Sequence, residues 1–239
     1  MKEEKIQNNL RESLHSRIDR KGFLKYSALS GGAMILGLEA CKKSNGSSSS
    51  GTVIDVGSGD TGILNFAYAL EQLEAAFYIK VNASFYTNAS ASEKQVLSDI
   101  MNHEITHRDF FKAALGTSAI GTLSFNFSSV DFTSRTSVLA TAKALEDTGV
   151  SAYNGAGQYI SNPDYLTLAG KIVSVEARHA SAIRDMINPK SADFAGDDVV
   201  SSSTGLDFSR TPNSTTGGMS IVATANTFLT TKISATKLP

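Results

Sequence analysis

Apolar positions recur at three- and four-residue steps in four long stretches of the chain, which is the period of an amphipathic α-helix. In the first stretch Leu64 and Ala67 share a face with Glu71, and the pattern runs from residue 60 to about residue 87. Capping and breaking residues mark the limits of the other three helices. They are Ser90 or Ser92 and Gly116 for the second helix, Thr133 or Ser134 and Asn162 for the third, and Pro163 and Asn188 for the fourth.

No helical period is present between the second and third helices, from residue 117 to residue 132. Leu123, Phe125 and Phe127 alternate there with Ser and Asn, which is typical of a short extended segment. A connection of this length lets the chain cross a bundle, whereas a turn of two to five residues would make the flanking helices antiparallel neighbours. The pattern therefore predicts an all-α four-helix bundle with a long crossover between helices 2 and 3.

The second and fourth helices each carry a Glu-x-x-His sequence on their predicted core face, at Glu104 to His107 and at Glu176 to His179. Residues three apart on a helix lie about 60° apart around its axis, so both side chains of one pair can bind the same ion. A single pair of this kind is commonly a solvated surface pair. Two copies on apolar faces favour metal binding instead.

The first and third helices each place one glutamate on the predicted core face, Glu71 and Glu146. Each is followed seven residues later by a tyrosine, Tyr78 or Tyr153, and then by a helix with a Glu-x-x-His sequence. The chain thus contains two helical hairpins of similar design, which predicts a pseudo-twofold axis between them. Two interpretations of the tyrosines stay open: hydrogen bonding or electron supply at a metal site, and packing in the core with a satisfied hydroxyl.

Four carboxylates and two imidazoles on the core faces of four helices are the ligand set of a di-iron or di-manganese bundle. Unpaired charges in a core are costly, and metal coordination removes that cost. Oxygen ligands with one imidazole for each ion suit two iron ions or, alternatively, two manganese ions. We predict that Glu104 and Glu176 bridge the ions and that Glu71 and Glu146 bind terminally. The full predicted ligand set is Glu71, Glu104, His107, Glu146, Glu176 and His179.

Three further polar residues lie close to these predicted ligands in sequence. Glu74 is one helical turn from Glu71, so it is an alternative ligand, a group beside the site or a surface residue. His103 precedes Glu104 and points about 100° away from it, which predicts that it is not a ligand. Asp147 follows Glu146 and points away from it by the same angle.

The composition of the 239-residue chain is typical of a protein with a packed core, since 41% of the residues are hydrophobic and 19% are charged. These fractions exclude a wholly disordered chain. The formal net charge is −1, so nucleic acid is not an expected partner. The part of the chain that follows residue 41 is mildly acidic.

The N-terminal sequence predicts export. Arg20 and Lys21 open a run that resembles a twin-arginine export signal, and an apolar stretch from Tyr26 to Ala40 follows as a signal-peptide core. Leu38 to Cys41 resembles a lipobox, whose cysteine is lipidated. Cys41 is the one cysteine of the chain, which excludes an intramolecular disulfide. The alternatives are the general export route and a disordered N-terminus with a short buried helix.

These features divide the chain into four parts. A lipid at Cys41 would anchor the domain in the bacterial cell envelope, on the periplasmic side or at the cell surface. After the bundle the chain is rich in Ser, Thr and Gly, and only Met219 to Leu229 is predicted to be helical. The predicted parts are an export signal at 1–41, a Ser- and Gly-rich flexible tether at 42–59, the bundle at 60–188 and a C-terminal extension at 189–239.

At these residues the chain resembles the ferritin-like superfamily, over about residues 60–188. Leu70 to Tyr78 is similar to ferritins and bacterioferritins, and more closely to exported ferritin-like proteins that include desiccation-related proteins. Similar stretches are present at His103 to His107, at Glu146 to Val150 and at Val175 to His179. The resemblance implies an all-α bundle with a di-metal carboxylate centre. It leaves the activity open, because the superfamily includes storage ferritins, oxidases, oxygenases and manganese catalases.

Two functions follow as expectations. The first is a redox enzyme of the ferroxidase, oxidase or manganese-catalase type, which oxidises Fe(II) or consumes oxygen or peroxide at a dinuclear centre. The second is a non-catalytic envelope or stress protein, in which the metal site is structural or vestigial. A storage cage of twenty-four subunits is not expected, because the anchor, the tether and the C-terminal extension obstruct its packing.

Overall fold

The computed structural model describes residues 53–196, 210–215 and 219–239. The predicted export signal, Cys41 and most of the predicted tether lie outside the described residues. Five α-helices and two short strands are present in the described ranges. They are β1 (Ile54–Asp55), α1 (Gly59–Ala83), α2 (Ala91–Leu115), α3 (Arg135–Gly157), α4 (Pro163–Ile187), α5 (Ile221–Phe228) and β2 (Ile233–Ser234).

The four long helices form two hairpins. Helix α1 packs mainly against α2 and α3 mainly against α4, and the hairpins meet where α1 contacts α3 and α2 contacts α4. Between α2 and α3 the chain runs from Leu115 to Arg135 without a further α-helix. The predicted all-α bundle, its long crossover and its short C-terminal helix are confirmed.

Local sequence sets the start and end of several helices. Ser90 and Glu93 form a capping box at α2, in which each side chain accepts a hydrogen bond from the backbone N–H of the other residue. Gly116 ends α2 with a φ of 54°, a conformation that is costly for residues with a Cβ. Asn162 caps α4, and Pro163 occupies its first turn, where no backbone donor is needed.

Two helices end earlier than the sequence pattern predicts. Helix α1 stops at Ala83 rather than near residue 87, since Ser84 has extended backbone angles, and the amide of Asn82 bonds the carbonyl oxygen of Leu97 in α2. Helix α3 stops at Gly157 rather than at Asn162. Glycine has a low helix propensity, so the last turn of α3 yields to a tighter turn.

The crossover packs on the bundle as an extended segment. Leu123 and Phe127 are buried and Ser124 is exposed, as the alternating pattern predicts. Phe125 forms an antiparallel bridge with Leu229, just after α5. The C-terminal part of the chain therefore contacts the crossover and not only the helices.

The residues just before the bundle belong to the fold. Ile54 of β1 pairs in parallel with Ile233 of β2, and Val56 is 1% exposed. Residues 53–59 therefore differ from the flexible tether that their composition predicts, and β2 differs from the predicted coil. The reason is that Val56 and Ile233 become buried, and Ile54 partly buried, when these two distant segments pair.

The hydrophobic core lies between the four long helices, and each helix contributes a large side chain that is at most 1% exposed. Such close-packed side chains hold the helices at fixed separations, which positions any polar group between them. Within the described ranges, no helix has the length and hydrophobicity needed to cross a membrane. The four side chains are Phe77 of α1, Leu97 of α2, Leu139 of α3 and Ile183 of α4.

Substitution of two helical glycines tests how closely the C-terminal extension approaches α3. A Cβ at Gly155 would lie 1.9 Å from the carbonyl oxygen of Arg210, whereas a Cβ at Gly170 would meet no atom within 4 Å. We expect Gly155→Ala to lower the free energy of unfolding by about 1–3 kcal/mol through overpacking. Gly170→Ala should raise it by about 0.5–1 kcal/mol, since alanine is the better helix former. Urea unfolding measures both changes, and equal effects of the two substitutions would contradict the close approach at Gly155.

Candidate metal centre

The six predicted ligands meet in the middle of the bundle. Each long helix supplies one glutamate, and α2 and α4 each add a histidine one turn after it. All four glutamates are 0% exposed, and both histidines are buried. The structure therefore brings together every member of the predicted set: Glu71, Glu104, His107, Glu146, Glu176 and His179.

Two overlapping groups of possible ligand atoms are present in the described part of the chain. Within each group, three carboxylates and one imidazole offer atoms that lie within 4.8 Å of one another. Glu104 and Glu176 belong to both groups, which is the arrangement that two bridging carboxylates require. The first group is Glu71, Glu104, His107 and Glu176, and the second group is Glu104, Glu146, Glu176 and His179.

Each histidine turns its Nδ1 atom towards a shared carboxylate of the other hairpin. His107 Nδ1 lies 2.8 Å from Glu176 Oε1, and His179 Nδ1 lies 2.7 Å from Glu104 Oε1. These two contacts are reciprocal between α2 and α4. The pseudo-twofold relation predicted from the sequence is thus present in the contacts of the side chains.

The two tyrosines repeat this reciprocity between α1 and α3. Tyr78 donates a hydrogen bond from its hydroxyl to Glu146 Oε1, and Tyr153 donates one to Glu71 Oε1. Burial, followed by the charge of the bonded glutamate, raises the pKa of both phenols well above the usual range, so they stay protonated as donors. Glu146 and Glu71, the glutamates that each belong to only one ligand group, are therefore each held at one oxygen by a tyrosine.

The chemistry of the remaining atoms fits two metal ions. Nine buried polar atoms of this cluster have no hydrogen-bond partner outside the cluster among the described residues, and eight of them belong to the six predicted ligands. Buried polar atoms without partners are costly, and native structures rarely leave them so. Because these atoms are carboxylate oxygens and imidazole nitrogens in two compact groups, divalent cations can satisfy them.

The comparison with known families agrees with this geometry. A family model described as a ferritin-like domain matches residues 59–189, which is more than half of the chain and includes all six ligands. The chain belongs to this ferritin-like family. No curated protein matches the chain.

The electrostatics of the ferritin-like centre disfavour four free carboxylates. Burial raises the pKa of Glu71 to about 7, although the nearby imidazole of His107 opposes the shift. Burial also raises the pKa of Glu146, and burial together with the charge of Glu104 raises that of Glu176 well above the usual range. Without a metal, the cluster therefore retains protons that a cation would displace.

Burial acts on the pKa of the two histidines in the opposite direction to its action on the glutamates. Burial lowers the pKa of an imidazole, but interaction with Glu104 and Glu176 outweighs it and raises the pKa of His107 to about 12. Glu104 and Glu146 raise the pKa of His179 to about 10 in the same way. Glu104 lies between the two imidazoles, which lower its own pKa to about 2 despite its burial.

Glu74 is a fifth buried carboxylate beside the ferritin-like centre. It is 2% exposed, its Oε2 atom has no hydrogen-bond partner among the described residues, and it belongs to neither group. Of the three alternatives that the sequence left open for Glu74, the surface residue is therefore wrong. Burial, followed by the charge of Glu176, raises the pKa of Glu74 well above the usual range.

A glycine on the opposite hairpin makes room for Glu74. A Cβ at Gly149 would lie 3.1 Å from Glu74 Oε1, which is tighter than ordinary contact. Gly149 follows the lone glutamate of α3 by three residues, as Glu74 follows the lone glutamate of α1. A residue-by-residue comparison of the two hairpins would have shown this pair, since it breaks their similarity.

The other two neighbours of the ligands also belong to neither group. Asp147 pairs with Arg184, with 2.7 Å between Oδ2 and Nη2. His103 contacts a ligand from outside, since its Nδ1 atom lies 2.8 Å from Nε2 of His179. The angle of about 100° between His103 and Glu104 around the helix axis did not predict this contact. The spacing of four residues between His103 and His107 is the signal that places His103 on the face of the site.

The pKa shifts predict how pH acts on the metal-free protein. Because folding raises the pKa of Glu71, protonation of this carboxyl stabilises the fold. The contribution is complete below about pH 4.5 and is lost as the pH rises to about 7. The contributions of His107 and His179 are complete below about 6.5 and are lost as the pH rises towards about 12 and about 10. Glu104 acts oppositely, since its contribution is lost as the pH falls towards about 2.

We therefore expect the melting temperature of the chelated chain to fall between pH 5 and pH 8. A decrease of about 2 kcal/mol in the unfolding free energy corresponds to roughly 4–8 °C for a chain of this size. With a divalent metal in excess the temperature should not fall, because cations compete with protons and bind better at higher pH. Circular dichroism measures both series. A chelated chain that gains stability from pH 5 to pH 8 would show that the cluster does not hold these protons.

Proposed function

We propose that the chain binds two iron ions, or two manganese ions, and uses them to oxidise Fe(II) or to reduce oxygen or peroxide. The observation that supports this best is the pair of overlapping ligand groups, each with three carboxylates and one imidazole, that share Glu104 and Glu176. Oxygen-rich sites with one imidazole for each ion favour iron and manganese. When bound, two such ions would supply two electrons, one from each ion, to oxygen or peroxide.

The charges of the centre agree with this proposal. Four buried carboxylates carry four negative charges when ionised, and two divalent cations neutralise them. Because the oxygens of Glu104 and of Glu176 contact only the imidazoles of the same cluster, both side chains could bind two ions at once when those imidazoles are also ligands. Tyr78 and Tyr153 hold the other two glutamates in place from the opposite hairpin.

The surroundings of the centre favour a small oxidant. An apolar cavity of about 20 Å³ is lined by Tyr153, whose hydroxyl bonds the predicted ligand Glu71, and by Leu70 and Phe111. A space of this size accommodates a molecule about as large as one water. Oxygen and peroxide are of this order of size.

A second candidate function is a structural metal centre in an envelope or stress protein. The observation that favours it is the complete burial of the four carboxylates, one from each long helix. Metal ions bound there would tie all four helices together, and their binding energy would add to the stability of the fold. This candidate predicts two bound metals but no turnover.

Metal binding is tested with variants that remove one carboxylate charge. We expect two Fe(II) or Mn(II) ions per chain in anaerobic equilibrium dialysis. Glu176→Gln should lose both, because this residue belongs to both groups, and Glu71→Gln should lose one. Asp109→Asn is the control, since Asp109 is an exposed carboxylate on α2 that pairs with Arg108. Unchanged binding in Glu176→Gln would refute the shared role of this residue.

Turnover separates the two candidate functions. With Fe(II) and oxygen, a redox centre should oxidise iron in a burst of about two ions per chain, followed by further turnover, as measured by near-ultraviolet absorbance and oxygen consumption. Peroxide disproportionation with manganese would assign the catalase type. Two tightly bound metals without consumption of oxygen or peroxide would favour the structural centre and contradict the redox proposal.

We also propose that the chain is exported and anchored in the cell envelope by a lipid on Cys41. The support is the order of sequence features, in which a twin-arginine-like run and an apolar stretch precede the lipobox-like residues and a Ser- and Gly-rich segment follows. A single acyl chain binds membranes weakly, so stable anchoring takes a second acyl chain or another membrane-binding signal.

Fractionation of bacteria that express the full chain tests the anchor. We expect wild type in the membrane fraction with incorporated fatty acid, and Cys41→Ala without label and largely absent from that fraction. Ser47→Ala, in the segment after Cys41, is the control and should behave as wild type. Fatty-acid incorporation that persists in Cys41→Ala would contradict lipidation at this residue.

A further inference from the structure

His103 lies outside both ligand groups, yet it contacts a predicted ligand directly. Its Nδ1 atom lies 2.8 Å from Nε2 of His179, and the two rings lie edge to edge, with 5.1 Å between their centroids and 19° between their planes. His103 itself is an exposed residue, whereas His179 is 4% exposed. One edge of the His179 ring therefore faces the carboxylates, and the other faces an imidazole at the surface.

This contact decides which nitrogen of His179 carries a proton. The Nδ1 atom of His179 faces Glu104, Glu146 and Glu176, so a metal bound among these carboxylates would take the lone pair of Nδ1. A neutral imidazole then keeps its proton on Nε2. Nε2–H can donate to Nδ1 of His103, which accepts when His103 carries its own proton on Nε2. Metal-bound histidines almost always donate their other N–H in this way, commonly to a carboxylate or carbonyl.

The other half of the centre lacks this support. Val175 occupies in α4 the position that His103 occupies in α2, four residues before the histidine, so this position offers His107 no second imidazole. The two ligand groups are therefore alike in their ligands and different in what orients their imidazoles. His103, like Glu74, breaks the pseudo-twofold relation between the hairpins.

We propose that His103 is a positioning residue that accepts a hydrogen bond from His179, fixes Nδ1 of His179 as the metal-binding atom and makes the second group the tighter of the two metal sites. This inference rests on the proposed metal binding but not on turnover. Removal of a hydrogen-bond partner of a metal-bound histidine typically weakens metal binding about 10–100-fold. The loss should be confined to the second group, because the first group contains His107 and not His179.

Three substitutions separate the acceptor from the ring and from the bulk of the side chain. His103→Asn keeps an acceptor oxygen near the position of Nδ1, and His103→Leu has a similar size without an acceptor. His103→Phe retains an aromatic ring at this position but accepts no hydrogen bond. Asn102→Ala is the control, because Asn102 is an exposed neighbour on α2.

The experiment is a zinc titration of the full chain labelled with ¹⁵N-histidine, followed by nuclear magnetic resonance. Zinc is diamagnetic, and the chain has only four histidines, so His107 and His179 give separate signals. We expect the His179 signals of wild type to change at lower zinc concentration than those of His107. A nitrogen–nitrogen coupling across the hydrogen bond should connect Nε2 of His179 with Nδ1 of His103. The coupling reports the hydrogen bond itself, which a merely structural role of His103 would not produce.

The variants give the decisive comparison. His103→Leu and His103→Phe should raise the zinc dissociation constant read from His179 about 10–100-fold and change that read from His107 less than about twofold. His103→Asn should restore most of the loss, and Asn102→Ala should match wild type. Equal zinc binding in wild type and His103→Leu would overturn this inference alone. A wild-type chain that binds no zinc at either histidine would overturn the proposed metal binding, and this inference with it.

Discussion

The burial of four carboxylates in the middle of the bundle is the constraint on which the rest of the structure depends. All four are 0% exposed, so water cannot stabilise their charges, and either protons or cations must do so. Each long helix contributes one of them. The helices therefore cannot separate, rotate or slide without disturbing the same cluster, and the close-packed side chains above and below it keep the ligand atoms within a few ångströms. The centre and the fold stabilise each other.

A repeated hairpin gives the centre its form, and two departures from the repeat give its halves different properties. The contacts of the histidines with the shared glutamates, and of the tyrosines with the others, are reciprocal between the hairpins. Glu74 has Gly149 as its counterpart, and His103 has Val175. One departure adds a buried carboxylate on one side, and the other adds a hydrogen-bond partner for one imidazole. Two sites with equal ligands therefore need not bind metal equally.

The segments around the bundle complete the packing without contributing ligands. The crossover lies in extended form against the helices, and residues after α5 pair with it at Phe125. The strand before α1 pairs with β2 near the C-terminus, so the two ends of the described domain are joined. Gly155 lets the backbone at Arg210 approach α3 closely, and Arg210 bonds the carbonyl oxygen of Ser151. These contacts cover the hydrophobic core that surrounds the carboxylates.

The sequence by itself determined the helices and the ligand set, because both depend on local periodicity. The spacing of three between Glu104 and His107 fixes one helix face, and the capping box at Ser90 fixes a helix start. Contacts between distant segments were decided only by the tertiary structure. The pairing of Ile54 with Ile233, the approach of Arg210 to Gly155 and the contact of His103 with His179 join residues at least 50 positions apart. No local period encodes such distances, and the burial of Glu74 likewise depends on a glycine in another helix. Sequence pattern names the groups that can bind a metal, and packing decides which other groups touch them.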